Sequence, residues 1–127
     1  MADEKRNNML AVERVVDAYS DHTAEVVNVF VKGRHRVETF RRLSPGDEVR
    51  LVAGKDNVAL YALDVFICNL LLPDSSRILS LLKEGVPVEA FLGGRDIEQS
   101  YNEDADFASI IIFYKIDGVP PTKVILN

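Results

Sequence analysis

Cysteine, histidine and tryptophan are scarce or missing: the chain has one cysteine, two histidines and no tryptophan among its 127 residues. Cys68 can form no internal disulfide, and its place in the apolar run VFICNLLL favours a buried structural role over that of a reactive thiol. His22 and His35 belong to no closely spaced pair of the kind that binds zinc. Because so few groups could exchange protons or hold a metal, we expect no enzymatic activity, no metal site and no cofactor.

Long apolar runs are also missing. No segment approaches the roughly 20 apolar residues of a transmembrane helix, and the first residues, MADEKRNNML, are charged where a signal peptide would need an apolar core. The composition, with 47% hydrophobic and 28% charged residues, is typical of one soluble globular domain. We expect a cytoplasmic protein without membrane contact.

Two short motifs are incomplete. The pair Gly93-Gly94 is followed neither by the Lys-Ser or Lys-Thr of a phosphate-binding loop nor by the glycine spacing of a dinucleotide fold. We therefore interpret it as a turn. The acidic segment 103–106 lacks the glycine and the distal glutamate of a calcium-binding loop. Neither motif predicts a ligand.

The charge of the chain is acidic overall but unevenly distributed. The formal net charge is -5, yet residues 32–55 carry seven basic side chains against three acidic ones, while the rest carries 8 basic and 17 acidic. Affinity for nucleic acid rests largely on Lys and Arg side chains that displace counterions from phosphates. The basic stretch is either an interaction face or a solvated strand and turn whose arginines happen to cluster.

The segment 1–24 is interpreted as an N-terminal extension. Its apolar residues recur at spacings of three and four, which predicts a short amphipathic helix; a valine-rich strand is the alternative. These residues are Met9, Val12, Val15, Val16 and Tyr19. The extension either packs on the rest of the protein or contacts a second copy.

The remainder, 25–127, has the pattern of a small mainly β domain. The predicted strands cover 25–31, 47–53, a continuous buried strand at 58–67, then 86–92 and 107–116, with 34–40 as an edge strand or loop, 93–106 as a loop and 122–127 as an edge strand or docked tail. One helix is predicted at roughly Asp74 to Glu84, with Asp74 or Ser75 as N-cap and Gly85 as its stop. Five to seven short strands around one central helix are typical of a barrel of the OB or SH3 type.

The stretch RLSPGDEVRLVAGKDNVALYALDVFICNLLLP, from Arg42 to Pro73, adds a characteristic order of elements. A hydrophobe and Pro-Gly-Asp precede an alternating strand, an Asn follows it, and a second strand, a Pro and a helix ending in KEG come next. This order resembles that of the HIRAN domain, a small β-barrel module found fused to helicases and nucleases and also alone in bacteria. The resemblance covers roughly residues 25–116 and implies recognition of DNA 3′ ends.

The residues that would contact a DNA end in the HIRAN family are mostly replaced here. Asn57 and Ala62 match the first and last residues of the family's Asn-Pro-Tyr-Asp and Asn-Ala segment. Between them, with one residue deleted, Val-Ala-Leu at 58–60 stands where Pro, Tyr and Asp are expected. Tyr61 is the candidate to replace the missing tyrosine, whereas the aspartate has no replacement. The resemblance thus implies a barrel with weakened end recognition.

We expect a non-catalytic HIRAN-like module that binds single-stranded DNA or DNA ends. In small barrels of this kind, basic side chains interleave with aromatic rings on which bases stack. Phe30 and Phe40 flank the basic run here, with a buried core as the alternative role for both. The predicted groove consists of Lys32, Arg34, Arg36, Arg41, Arg42, Lys55, Asn57 and Tyr61.

The two arginines at alternate positions, Arg34 and Arg36, project to the same side if their segment is extended. The second interpretation, from a different class, is a protein-interaction or self-association module. In that case the acidic surface and the apolar extension bind another chain or a second copy. Salt separates the two interpretations, because electrostatic binding to DNA weakens steeply with salt and apolar association does not.

Overall fold

A computed structural model describes residues 2–95 and 104–121. In chain order these residues form α1 (Ala2–Ala18), β1 (Thr23–Lys32), α2 (Arg34–Phe40), β2 (Glu48–Ala53), β3 (Val58–Ala62), β4 (Val65–Asn69), α3 (Asp74–Lys83), β5 (Val88–Arg95) and β6 (Ala105–Tyr114). The predicted C-terminal segment 122–127 and residues 96–103 of the predicted loop lie outside the described residues. None of the described helices is both long and apolar enough to cross a bilayer.

The six strands form one sheet in the order β1-β6-β5-β2-β3-β4, and all neighbours are antiparallel. The sheet curls into a half-barrel, and α2 contacts both edge strands, β1 and β4. The fold is therefore mainly β and barrel-like, as predicted, and the strand number lies within the predicted five to seven.

The main core lies inside the curled sheet, because strand residues point alternately inward and outward. Its fully buried members include Val29 of β1, Leu60 of β3 and Ile110 of β6. A second cluster lies on the outer face, where α1 buries Val12 against Phe113. The predicted helix in the N-terminal extension is thus observed, and its apolar stripe packs on the sheet.

The helix α3 ends as the sequence predicts. Its apolar stripe points inward, with Ile78 fully buried and Leu82 half-buried. Gly85, just after the helix, has a φ of 80°, which favours glycine. The N-cap, however, is Pro73 and not Asp74 or Ser75, and no side chain caps the first turn.

The segment 34–40 is a helix, so its prediction as an edge strand or loop is wrong. Gly33 has a φ of 105° and ends β1, after which Val37 and Phe40 are both fully buried. A spacing of three places these two residues on one face of a helix. The Thr39 hydroxyl donates to the His35 carbonyl oxygen at 3.0 Å, a contact of one helical turn.

The predicted continuous strand at 58–67 is two strands joined by a two-residue turn. Leu63 and Asp64 have φ values of 51° and 62°, the left-handed pair of a tight hairpin. Leu63 is 53% exposed, so its expected burial is also wrong. Of the other residues expected in the core, three are buried and four pack half-buried against it; they are Val49, Ile110 and Ile112, and Leu51, Val65, Leu79 and Leu82.

Gly93 and Gly94 lie within β5 and not in a turn. The pairing of β5 with β6 shifts register between Leu92 and Gly94, as at a β-bulge. The predicted loop is shorter than expected at its other end as well, since Ala105 already pairs with Lys32 of β1.

Candidate nucleic-acid interface

The outer side of β2, β3 and β4 is open to solvent. Arg50 of β2 lies directly opposite Tyr61 of β3, which in turn lies opposite Phe66 of β4. Directly opposed residues share one face of a sheet. Arg50 is exposed and the two rings are half-buried, so this face presents one guanidinium and two aromatic side chains.

A second arginine reaches this face from α2. The guanidinium carbon of Arg36 lies 4.8 Å from the centre of the Phe66 ring. The Phe66 and Tyr61 ring centres are 5.8 Å apart at an angle of 69°, and the guanidinium carbon of Arg50 is 5.5 Å from the Tyr61 centre. We call these four residues, Arg36, Phe66, Tyr61 and Arg50, the Arg36–Arg50 row.

The chemistry of the row combines stacking surfaces with positive charge. A guanidinium above a ring is held by the cation–π attraction, about 0.5–1 kcal/mol at an exposed site. Its edge N–H groups can still bond a phosphate in a bidentate manner. Tyr61 and Phe66 meet edge to face, an arrangement that aromatic pairs favour. The row can therefore bind flat, anionic ligands without covalent chemistry.

Small and polar side chains continue the same face beside the row. Val52, Ala59 and Asn69 lie opposite one another on β2, β3 and β4. Val52 is 37% exposed and Asn69 is exposed. Ala59 lies between them, next to Tyr61 on the same face, and its side chain is short. The row is therefore bordered by short and polar side chains on the same face of the sheet.

The predicted groove residues do not all lie together. Arg36 and Tyr61 belong to the row, but Arg34 does not face the same way, because two helical positions differ by about 200° around the axis. The Nε of Arg34 lies 3.5 Å from a carboxylate oxygen of Asp104. Arg41 donates to the Ala105 carbonyl oxygen at 3.1 Å. The expectation that Arg34 and Arg36 share a side is wrong, since their segment is helical.

The other predicted groove residues are exposed but lie outside the row. Lys32 pairs with Ala105 at the end of β1, and Arg42 follows α2. Lys55 and Asn57 are in the turn between β2 and β3, where the Lys55 carbonyl oxygen accepts a bond from Lys83 Nζ at 2.9 Å. They lie at the turn end of the hairpin, whereas Arg50 and Tyr61 pair within its strands.

Two members of the row, Arg50 and Phe66, were not among the predicted groove residues. The signal for Arg50 was present, since it alternates with the core residue Val49 and must face outward. The position of Phe66 could not be predicted, because the sequence pattern indicates one continuous buried strand at 58–67. Only the turn at 63–64 reveals that Phe66 returns opposite Tyr61.

A second charged cluster lies on the inner side, near the end of α2. Asp106 is fully buried, and Nε of Arg95 donates to its Oδ2 at 3.3 Å, with Arg41 Nε at 3.7 Å. Arg95 also donates to the Phe40 carbonyl oxygen and stacks over the Phe40 ring at 5.2 Å. Burial lowers the pKa of Arg95, and the Asp106 carboxylate partly offsets that effect. The cluster anchors α2 to β5 and β6.

Cys68 is buried, as predicted, on the strand that carries Phe66. Burial raises the pKa of its thiol to about 11, although the nearby charge of Arg36 lowers it. The thiolate, which is the nucleophilic form, is therefore scarce at neutral pH. Among the described residues, no three His, Cys, Asp or Glu side chains lie close enough to hold a metal ion.

Comparison with known proteins gives little. No protein-family model matches the chain, and no curated protein matches it. A crystal structure of a protein from Lactobacillus plantarum is similar over 71% of this chain and 98% of its own length. The two sequences are 14% identical, with a TM-score of 0.47. Similarity at this level supports no inference about function.

Proposed function

We propose that the protein is a non-catalytic module that binds single-stranded DNA on the outer face of β2, β3 and β4. We place it among small barrels of the OB or SH3 type, as a HIRAN-like domain with weakened end recognition. One observation carries the proposal: in the Arg36–Arg50 row two adjacent aromatic rings are flanked by a guanidinium group at each end, with neighbouring groups 4.8 to 5.8 Å apart.

Single strands fit this face better than duplexes. Bases of a duplex are stacked on one another, whereas the bases of a single strand can be taken up by protein rings. Each base stacked on an aromatic side chain contributes about 1–3 kcal/mol. Tyr61 and Phe66 supply two such rings on adjacent strands, enough for neighbouring bases of one strand.

The arginines of the row add the attraction for phosphate. Arg36 and Arg50 stand at opposite ends of the aromatic pair, so each is placed to meet the backbone beside a stacked base. Each neutralised phosphate of a single strand contributes a slope of about -0.7 to the dependence of log affinity on log salt. The net charge of -5 opposes nonspecific adhesion elsewhere, so binding depends on this local face.

The proposal is tested by fluorescence anisotropy with a labelled oligothymidylate at about 50 and 200 mM salt. Tyr61→Ala removes one ring and is expected to weaken binding by about 5- to 150-fold, the equivalent of one lost stack. Tyr61→Phe retains the ring and is the matched control, with affinity within about threefold of the native protein. Equal affinities for all three proteins would show that the row is not part of the binding site.

The alternative, a protein-interaction or self-association module, is favoured by a separate observation. Met9 and Leu10 on α1 are 51% and 42% exposed, although α1 packs its other apolar residues on the sheet. Exposed apolar side chains of this kind can contribute to a protein contact. If the native protein elutes as a dimer and Met9→Lys with Leu10→Lys converts it to a monomer, α1 makes that contact.

A further inference from the structure

An exposed leucine occupies the tight turn at the end of the β3–β4 hairpin. Ala62 and Val65 are the last paired residues, so Leu63 and Asp64 form the whole turn. Leu63 has a φ of 51° and is 53% exposed. A two-residue turn in which both φ values are positive strongly favours Asn-Gly, Asp-Gly or Gly-Gly. Leucine is therefore an unfavourable residue for this turn, and it gains little burial there.

The backbone of Leu63 is strained, because in the left-handed conformation the Cβ atom lies too close to the following carbonyl oxygen. Asn and Asp tolerate this conformation because their short polar side chains form local hydrogen bonds, which a leucine side chain cannot do. Residues held in sparsely populated conformations cluster at active sites and ligand contacts. The surroundings of Leu63 therefore indicate what the side chain contacts in the functional state.

The turn lies directly beside the two rings of the Arg36–Arg50 row. Leu63 is two residues from Tyr61 along the chain, so the Cα atoms of the two residues lie within about 8 Å of each other. Phe66 lies directly opposite Tyr61 on β4, three residues after Leu63. An exposed apolar side chain therefore flanks the aromatic pair on the side where the hairpin turns.

The charges around the turn determine which part of a single strand can lie there. Asp64 is exposed, and its carboxylate repels the phosphate groups of a strand. Arg36 and Arg50 attract those phosphates at the two ends of the row. A base, and not the sugar-phosphate backbone, is therefore the part of the strand that fits against Leu63.

We propose that Leu63 contacts a base of the bound strand and gives the row a preference for thymine. An apolar side chain distinguishes bases through their apolar groups, and the methyl group at C5 of thymine is such a group. Burial of this methyl group against Leu63 stabilises the complex with thymine relative to uracil, which lacks it. This inference rests on the proposed function of the row as a single-strand site.

The preference is tested by anisotropy titrations with oligothymidylate and oligodeoxyuridylate of equal length, whose bases differ only in the methyl group. We expect the native protein to bind the thymine strand about fourfold more tightly, the equivalent of one buried methyl group. A ratio below about twofold overturns the preference for thymine and leaves the proposed function standing. If the native protein binds neither strand at about 50 mM salt, the proposed function fails and this inference fails with it.

Two variants of Leu63 test whether this residue is the source of the preference. Leu63→Asn introduces a residue that tolerates the left-handed conformation, so we expect a higher melting temperature together with a ratio below about twofold. Leu63→Met is the matched control, because it keeps an apolar side chain in the turn and should keep the native ratio. A ratio that is unchanged in Leu63→Asn, or equally lost in Leu63→Met, overturns the assignment to Leu63.

Discussion

Arg77 of α3 donates hydrogen bonds to the Glu25 carboxylate of β1 from two nitrogens of its guanidinium group. Nε lies 3.1 Å from each carboxylate oxygen of Glu25, and Nη2 lies 2.8 Å from Oε2. The Tyr114 hydroxyl of β6 donates to the same carboxylate at 2.6 Å, and Arg77 also bonds Asp74 at 2.9 Å. The network connects α3 to β1 and β6, which are neighbours in the sheet.

Glu25→Gln is expected to lower the free energy of unfolding by about 1–2 kcal/mol at pH 7, because charge-assisted bonds are replaced by neutral ones. Burial raises the pKa of Glu25, but the bonds from Arg77 and Tyr114 outweigh it and leave that pKa lowered. The stability from this carboxylate is therefore present above its ordinary pKa and is lost as pH falls through the lowered value. Urea unfolding of the native protein and of Glu25→Gln at several pH values measures this contribution to stability.

The matched control for this prediction is Glu13→Gln, on the exposed side of α1, which should change stability little. The native protein and Glu25→Gln should converge in stability as the pH falls below the ordinary glutamate range. A difference that stays constant down to acid pH would contradict the role of the Glu25 charge.

The phenol of Tyr114 should ionise only at strongly alkaline pH. Burial, followed by the hydrogen bond and the charge of Glu25, raises its pKa to about 12. Because the folded value exceeds the ordinary one of 10.0, the stabilisation is complete below that pH and is lost as pH rises towards 12. Ultraviolet titration of the native protein and Tyr114→Phe should differ by one late-ionising phenol. A difference centred at the ordinary value would contradict the network.

The loss of stability caused by a core substitution in α3 should increase with the burial of the replaced side chain. Ile78 is fully buried and Leu82 half-buried, so Ile78→Ala should cost about 2–5 kcal/mol and Leu82→Ala less. Urea unfolding of the two variants tests this ranking. An equal or larger loss for Leu82→Ala would mean that α3 is rotated from its described orientation.

The difference between α3 and α2 shows what the sequence alone can predict. In α3 the buried residues Ile78 and Leu81 repeat at helical spacing and Gly85 marks the end, so pattern and structure agree. In α2 only Val37 and Phe40 are apolar, and two residues are too few to distinguish a helical spacing from a strand pattern. The seven-residue segment, with arginines at alternate positions, fits a strand equally well. Packing against the sheet, which the local pattern does not encode, decides in favour of the helix.

The candidate site was predictable only in part for the same reason. Charge and spacing identify Arg36 and Tyr61 as candidate residues. They do not predict the helix that carries Arg36 to this face. Phe66 joins Tyr61 through a turn at Leu63 and Asp64, and leucine rarely adopts a positive φ. Of the two turn positions only Asp64 is a residue type that turns favour, so the turn that builds the aromatic pair is weakly marked in the sequence.

Discrimination between DNA ends is expected to be weak. A pocket for a 3′ hydroxyl needs a fixed polar partner, and the segment 58–60 supplies only Val, Ala and Leu where the HIRAN resemblance implies Pro, Tyr and Asp. Oligonucleotides with free and phosphate-blocked 3′ ends should differ in affinity by less than about tenfold, or 1.4 kcal/mol. A strong preference for the free end would show that Asp64 or another group has rebuilt the pocket.

Charge reversal at both ends of the Arg36–Arg50 row tests whether the row binds single-stranded DNA. Arg36→Glu with Arg50→Glu is compared with Arg6→Glu and Arg14→Glu, an equal change of net charge at exposed positions of α1. In an oligothymidylate titration at about 50 mM salt, we expect at least a tenfold loss for the first pair and less than a threefold loss for the second. Equal losses of affinity in both pairs, or no loss in the first pair, would show that the row does not bind the single strand.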